Sequence, residues 1–131
     1  MNPFPLQIVT PDGIYFDGEA QQVIVRTTEG EVGILRNHAD YVAALSIGEA
    51  RITVDGQVRR AACNSGMISV NKGLVRVVAV TFEWSDDIDL ERAQRAKEKA
   101  EKALQEKTGE VELRTAELKL KRALTRIKVA K

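Results

Sequence analysis

A chain of 131 residues suits one compact domain with an appendage, or two small units. Hydrophobic residues make up 44% and charged residues 30%, which provides both a core and solubility at a formal net charge of +1. The lone Cys63 excludes an internal disulfide and fits a reducing compartment, and no run approaches the ~20 apolar residues of a transmembrane helix. The start, Met1-Asn2-Pro3-Phe4-Pro5, reads as neither a signal nor a transit peptide.

Taken in order, residues 6–10 read as a first strand, closed by the turn Pro11-Asp12-Gly13. Ile14-Tyr15-Phe16 follows, and Asp17-Gly18 repeats the turn chemistry. Residues 22–28 alternate Val23, Val25 and Thr27 against a second face, the pattern of a half-buried strand. Glu29-Gly30-Glu31 turns the chain into residues 32–35, and a polar loop over 36–41 leads to a run at 42–47. Gly48-Glu49 opens the next run, 50–54. Asp55-Gly56 between alternating runs is the strongest hairpin signal and matches a type I′ turn. Runs at 57–63, 67–70 and 74–80 complete the set, with Asn71-Lys72-Gly73 as another tight turn. About ten short strands with no helix between them predict an antiparallel β-sandwich over residues 1–84.

At Ile88-Asp89-Leu90-Glu91-Arg92-Ala93 the pattern changes once, from strand-like to helix-like. Residues 81–87 form the bridge, and residues 85–131 are predicted to make a second, helical domain. Asp86, Asp87 and Asp89 crowd the helix start, where carboxylates accept hydrogen bonds from free N–H groups. The first helix is predicted over 90–107, with Ala93, Ala96, Ala100 and Ala103 on one stripe. Thr108-Gly109 breaks it. The second, from about residue 110, carries Leu113, Ala116, Leu120, Ala123, Ile127 and Ala130. Both stripes step by three and four, so the two helices form an antiparallel hairpin. An alanine stripe buries little apolar area, which places the hairpin's attachment at a few kcal/mol, within reach of a ligand or partner.

Phosphate-cradling and dinucleotide-binding glycine patterns are absent from the sequence. With one histidine, His38, it offers neither a zinc site nor a His-based triad, and the carboxylates at 86, 87 and 89 read as caps before they read as metal ligands. Phe82 and Trp84 in the bridge are expected to pack the two parts of the chain together instead of stacking on a nucleobase, and Cys63 reads as a small buried side chain. These features point to a binding or regulatory protein. From Arg114 onward seven bases face one acid, Glu117, which suggests an acidic partner. Arg122 and Arg126 share a helix face four residues apart, and an antiparallel hairpin brings them near Asp89 and Arg92. Guanidinium forks on one face suit a polyphosphate or a row of carboxylates; the bland alternative is separate solvated arginines.

In this arrangement the chain resembles the epsilon subunit of the F-type rotary ATP synthase over its whole length. Glu29-Gly30-Glu31-Val32-Gly33-Ile34-Leu35-Arg36-Asn37-His38 followed by Val42-Ala43-Ala44-Leu45 is similar to that family's sandwich signature. It departs from the signature at Arg36 and at Asp40-Tyr41, where proline and proline-leucine are usual. Ile88-Asp89-Leu90-Glu91-Arg92-Ala93 is similar to its nucleotide motif, and residues 116–126 resemble the second helix of its ATP-binding members. The resemblance implies a non-catalytic rotor subunit on the cytoplasmic face of a bacterial plasma membrane, peripheral to it, between the gamma shaft and the membrane c-ring. The mobile hairpin would block ATP hydrolysis when extended into the catalytic alpha/beta head and permit turnover when folded. No cofactor is required; ATP is the implied regulatory ligand, holding the hairpin down. The positions matching the nucleotide site are Glu83, Ile88, Asp89, Arg92, Arg122 and Arg126, with Lys99 filling a further basic position. The arginines would neutralise phosphates, and Glu83 and Asp89 would accept hydrogen bonds from base or sugar. Glu31 and His38 would face the c-ring, and Lys119, Lys121 and Lys128 would meet acidic segments of the head. The alternative is a stand-alone nucleotide- or nucleic-acid-binding module using the basic helix. It lacks interleaved aromatics and a basic sandwich face, so no nucleic-acid partner is expected. A metal-dependent hydrolase is a further alternative, but no ligands converge on the acid cluster, and no metal is expected.

Overall fold

The structure, a computed structural model, describes residues 2–106 and 109–130. Seven strands come first: β1 (Phe4–Thr10), β2 (Gly13–Ala20), β3 (Gln22–Thr27), β4 (Gly30–Ile34), β5 (Tyr41–Val54), β6 (Gln57–Asn71) and β7 (Leu74–Trp84). They form one sheet in the order β2-β1-β7-β6-β5-β3-β4, parallel only at the β1–β7 pair. In β1, Phe4, Leu6, Ile8 and Thr10 are buried and the residues between them are not, the period of two expected of a strand with one face on a core. Buried side chains from all seven strands meet in a single cluster. One sheet achieves that by folding over on itself, which makes the two layers of a β-sandwich.

Seven strands stand where the sequence pattern suggests about ten. The difference lies in β5, β6 and β7, which are long enough to serve both layers. Each slips its burial alternation at the same level. In β5 the neighbours Ile47 and Gly48 are both buried, and in β7 Val80 and Thr81 are both exposed between buried Ala79 and Phe82. In β6, Ser65 (φ 56°) and Gly66 (φ 118°) leave the extended region. A Cβ on Gly66 would lie 1.9 Å from the Val78 carbonyl oxygen, so only glycine fits that corner. Gly48, which the pattern places at the opening of a run, and the interval 64–66 between two runs are therefore bends inside continuous strands. True reversals occur at Asp55-Gly56 and Lys72-Gly73, all four residues having positive φ as a type I′ turn requires.

After a short 3₁₀ turn at Ser85–Asp87 come α1 (Leu90–Glu106) and α2 (Glu110–Val129). Asp89 caps α1: its Oδ1 accepts the Arg92 N–H at 3.1 Å and its carbonyl accepts the Ala93 N–H at 3.0 Å. So brief a connection between two contacting helices makes α2 run back along α1. The helix end expected at Lys107 and the break expected at Thr108 lie outside the described residues. Along the seam Ala93, Ala100, Ala116 and Ala123 are buried. The chain divides into two compact units between Trp84 and Ser85.

Candidate functional site

Small seam residues leave space between the helices, a groove of about 520 Å³. Ala96, Lys99, Ala100 and Ala103 of α1 line one side. Val111, Glu112, Thr115, Ala116, Lys119, Arg122, Ala123 and Arg126 of α2 line the other. Ala100, Ala116 and Ala123 are buried, Arg122 and Arg126 are half-buried, and Lys99 and Lys119 are exposed. Four cations and one acid thus surround an apolar lining. Partly desolvated cations in that setting favour an anion of several charges, because a lower local dielectric strengthens each pairing.

Of the positions that the sequence suggests for a nucleotide, the structure brings Lys99, Arg122 and Arg126 together in this groove. Asp89, the cap of α1, and Arg92 in its first turn are exposed, and Ile88 precedes them; none of the three lines the groove. Glu83 lies on β7, paired with Ala62 of β6. Among the basic positions, Lys119 lines the groove, whereas Lys121 and Lys128 do not and are exposed.

Glu31 is on β4 opposite Arg26, and its carboxylate meets Arg51 at 3.3 Å. The loop after β4 carries His38, whose Nδ1 donates to the Ala39 carbonyl at 2.7 Å and whose ring meets Tyr41 edge-on. Asp40 accepts the Lys72 N–H at 2.9 Å, tying this loop to the β6–β7 turn. Sequence reasoning did not find the ion-pair cluster that Arg51 links to Glu31. Glu49 accepts hydrogen bonds from Arg51 Nη1 at 2.9 Å and Arg60 Nε at 3.0 Å, and pairs with Arg60 Nη2. Burial works against ionisation of Glu49, but these guanidiniums outweigh it and hold its pKa below the usual 4.5. Nor was the clamp on Trp84 foreseen: the Arg59 guanidinium lies 3.8 Å from the ring centre and Phe82 meets the ring edge-on. Both features join residues whose proximity depends on strand register. Burial pushes the Cys63 thiol up to about 12, so it is not a nucleophile at neutral pH.

On the outer face of the sandwich, Ala44, Met67, Val78 and Val9 stand side by side across β5, β6, β7 and β1. Met67 and Val78 are exposed there, as are Val42 and Val80 nearby.

Residues 3–85 match the family model of the β-sandwich domain of the ATP synthase delta/epsilon chain, and residues 86–131 match that of its long α-helix domain. An ATP synthase epsilon chain from Alkaliphilus oremlandii is 48% identical over 96 residues, covering 73% of this chain and 72% of its own. One from Caldicellulosiruptor bescii is 36% identical over 131 residues, covering 100% and 96%. Among solved structures, a chain in the cryo-EM structure of the Euglena gracilis mitochondrial ATP synthase OSCP/F1/c-ring superposes with a TM-score of 0.84. It is 24% identical, covering 94% of this chain and 78% of that one, a likeness of fold. A sandwich followed by a helical hairpin, matched in that order, defines the delta/epsilon class of ATP synthase subunits. Within that class the chain belongs to the epsilon chains, and is a non-catalytic subunit of a larger enzyme.

Proposed function

We propose that this epsilon chain is the rotor-borne regulator of its ATP synthase, with ATP as the regulatory ligand. The sandwich joins the gamma shaft to the membrane c-ring, holding the chain peripherally on the cytoplasmic face of a bacterial plasma membrane. The hairpin takes two positions: extended into the catalytic head it blocks ATP hydrolysis, and folded it permits turnover. The observation that carries the nucleotide part is the groove that gathers Lys99, Arg122 and Arg126 around an apolar lining. Ile88, Asp89 and Arg92, around the start of α1, are the further nucleotide contacts in this reading. The exposed apolar row of the sandwich suits the shaft, and the loop between Glu31 and His38 suits the ring. Basic residues outside the groove, Lys121 and Lys128 among them, suit acidic segments of the head. Among the described residues no helix is long and apolar enough to cross a membrane.

Calorimetric titration of the isolated chain with ATP tests the ligand. A fluorescent pair, one dye on the sandwich and one on the hairpin, tests the switch. Arg126→Ala should cost about 1.5–3 kcal/mol of ATP affinity, roughly ten- to a hundredfold. It should also raise the extended fraction at fixed ATP, because a ligand shifts an equilibrium only through differential affinity. Lowered affinity with an unmoved hairpin would show that ATP sensing is not the switch.

A further inference from the structure

We propose that Lys119 belongs to the ligand groove, where its ammonium pairs with the terminal phosphate of a nucleoside triphosphate and makes the site count phosphates. This rests on the reading of the groove as the ATP site. Lys119 lines the groove with Arg122 and Arg126, three and seven residues further along α2. At about 100° per residue those steps keep all three on one face. Lys121 lies about 200° round the helix from Lys119 and Lys128 about 180°, so a surface that engages those two faces away from Lys119. The groove separates the basic residues in the same way, including Lys119 and omitting Lys121 and Lys128.

Position along the groove assigns the phosphate. The two arginines lie toward the end of α2, and Lys119 lies about 10 Å nearer the hairpin turn than Arg126, at 1.5 Å of rise per residue. A nucleotide whose base and sugar are held at the start of α1, by Asp89, would enter with its phosphates at the arginines. The last phosphate is then the one that reaches Lys119, in a groove that Lys99 of α1 also lines. A diphosphate stops short. Lysine suits this end, since a mobile point charge tolerates the varied geometry of a chain terminus better than a guanidinium fork does.

The test titrates wild type, Lys119→Ala, Lys119→Arg and Lys102→Ala with ATP and with ADP by calorimetry, helix content being checked by circular dichroism. Lys102 is exposed on α1 outside the groove and controls for net charge. Lys119→Ala should weaken ATP about three- to fivefold, the upper range for an exposed charge pair, and ADP less than about twofold. Lys119→Arg should retain most of the ATP affinity, and Lys102→Ala should change neither ligand by more than about twofold. If wild type binds ATP and Lys119→Ala binds it equally well, or loses ATP and ADP alike, the assignment of Lys119 is overturned and the ATP site stands. If wild type binds no ATP, the nucleotide reading itself falls and the assignment with it.

Discussion

The sandwich and the hairpin differ in what they bury. Among the described residues the largest fully buried side chains are Phe82, Leu6, isoleucines and valines, and all of them except Val129 belong to the sandwich. The buried residues of α1 and α2 are four alanines, Ala93, Ala100, Ala116 and Ala123, together with Val129. Burying a Val, Leu, Ile or Phe side chain contributes about 1.5–3 kcal/mol, whereas an alanine methyl contributes about 0.8 kcal/mol. The sandwich therefore holds together by larger individual burial terms than the hairpin does. The hairpin is different. A ligand at a hundred times its Kd stabilises the form it binds by about 2.7 kcal/mol, the same order as a few alanine contacts. Weak apolar packing combined with a cation-lined groove is what a ligand-controlled element requires.

The largest expected effect sharpens this contrast from the sandwich side. Phe82 is buried against Tyr15 and Trp84, both meeting it edge-on. Phe82→Ala should cost about 3–5 kcal/mol, from lost transfer energy plus the cavity left behind. Chemical denaturation followed by near-UV circular dichroism measures it. A cost below about 1 kcal/mol would mean that the core yields as readily as the hairpin seam, and the contrast would break.

How far the sequence could be read depended on whether the controlling interaction is local. The helix start at Asp89 was legible because a cap needs only residues three and four further on. The Asp55-Gly56 turn was legible for the same reason. The breaks at Gly48 and between the runs 57–63 and 67–70 are bends instead. A glycine that ends a strand and one that bends it look alike in sequence; what distinguishes them is the neighbouring strand, such as the Val78 carbonyl pressed against Gly66. In the candidate site, Arg122 and Arg126 were placed together by helical spacing alone. Lys119 lies on the same face by the same spacing, yet grouping the basic residues by charge joined it to Lys121 and Lys128. Lys99 shares the groove only because α2 folds back along α1, which spacing within one helix does not reveal. Glu49, Arg51 and Arg60 meet through the register of β5 on β6, which no local pattern encodes.

That ion-pair cluster supplies a smaller effect with a defined pH dependence. Glu49 has its pKa lowered below 4.5 in the folded state. Its stabilisation is therefore fully present above the unfolded value and is lost as pH falls through the folded one. Glu49→Gln should cost about 1 kcal/mol at neutral pH, discounted for the solvent reaching both arginines. The gap to wild type should narrow as the pH drops below 4.5. Thermal melts from pH 7 to pH 3 decide it, and a gap that stays constant would assign the loss to packing instead of charge.

The smallest effect concerns the boundary itself. Every residue of the sandwich core cluster precedes Ser85, and the last strand residue, Trp84, is held by Arg59 and Phe82 of the same unit. Deleting residues 85–131 removes the helices and leaves this cluster whole. The truncated chain should fold cooperatively, with near-UV circular dichroism of an ordered Trp84 and a melting temperature within about 4 °C of the full chain's sandwich transition. A stability change below about 1 kcal/mol in a domain of this size has that consequence. A larger fall would mean that the hairpin contributes to the stability of the sandwich. In that case a ligand that repositions the hairpin would also perturb the scaffold, and the division into a rigid mount and a movable regulator would fail.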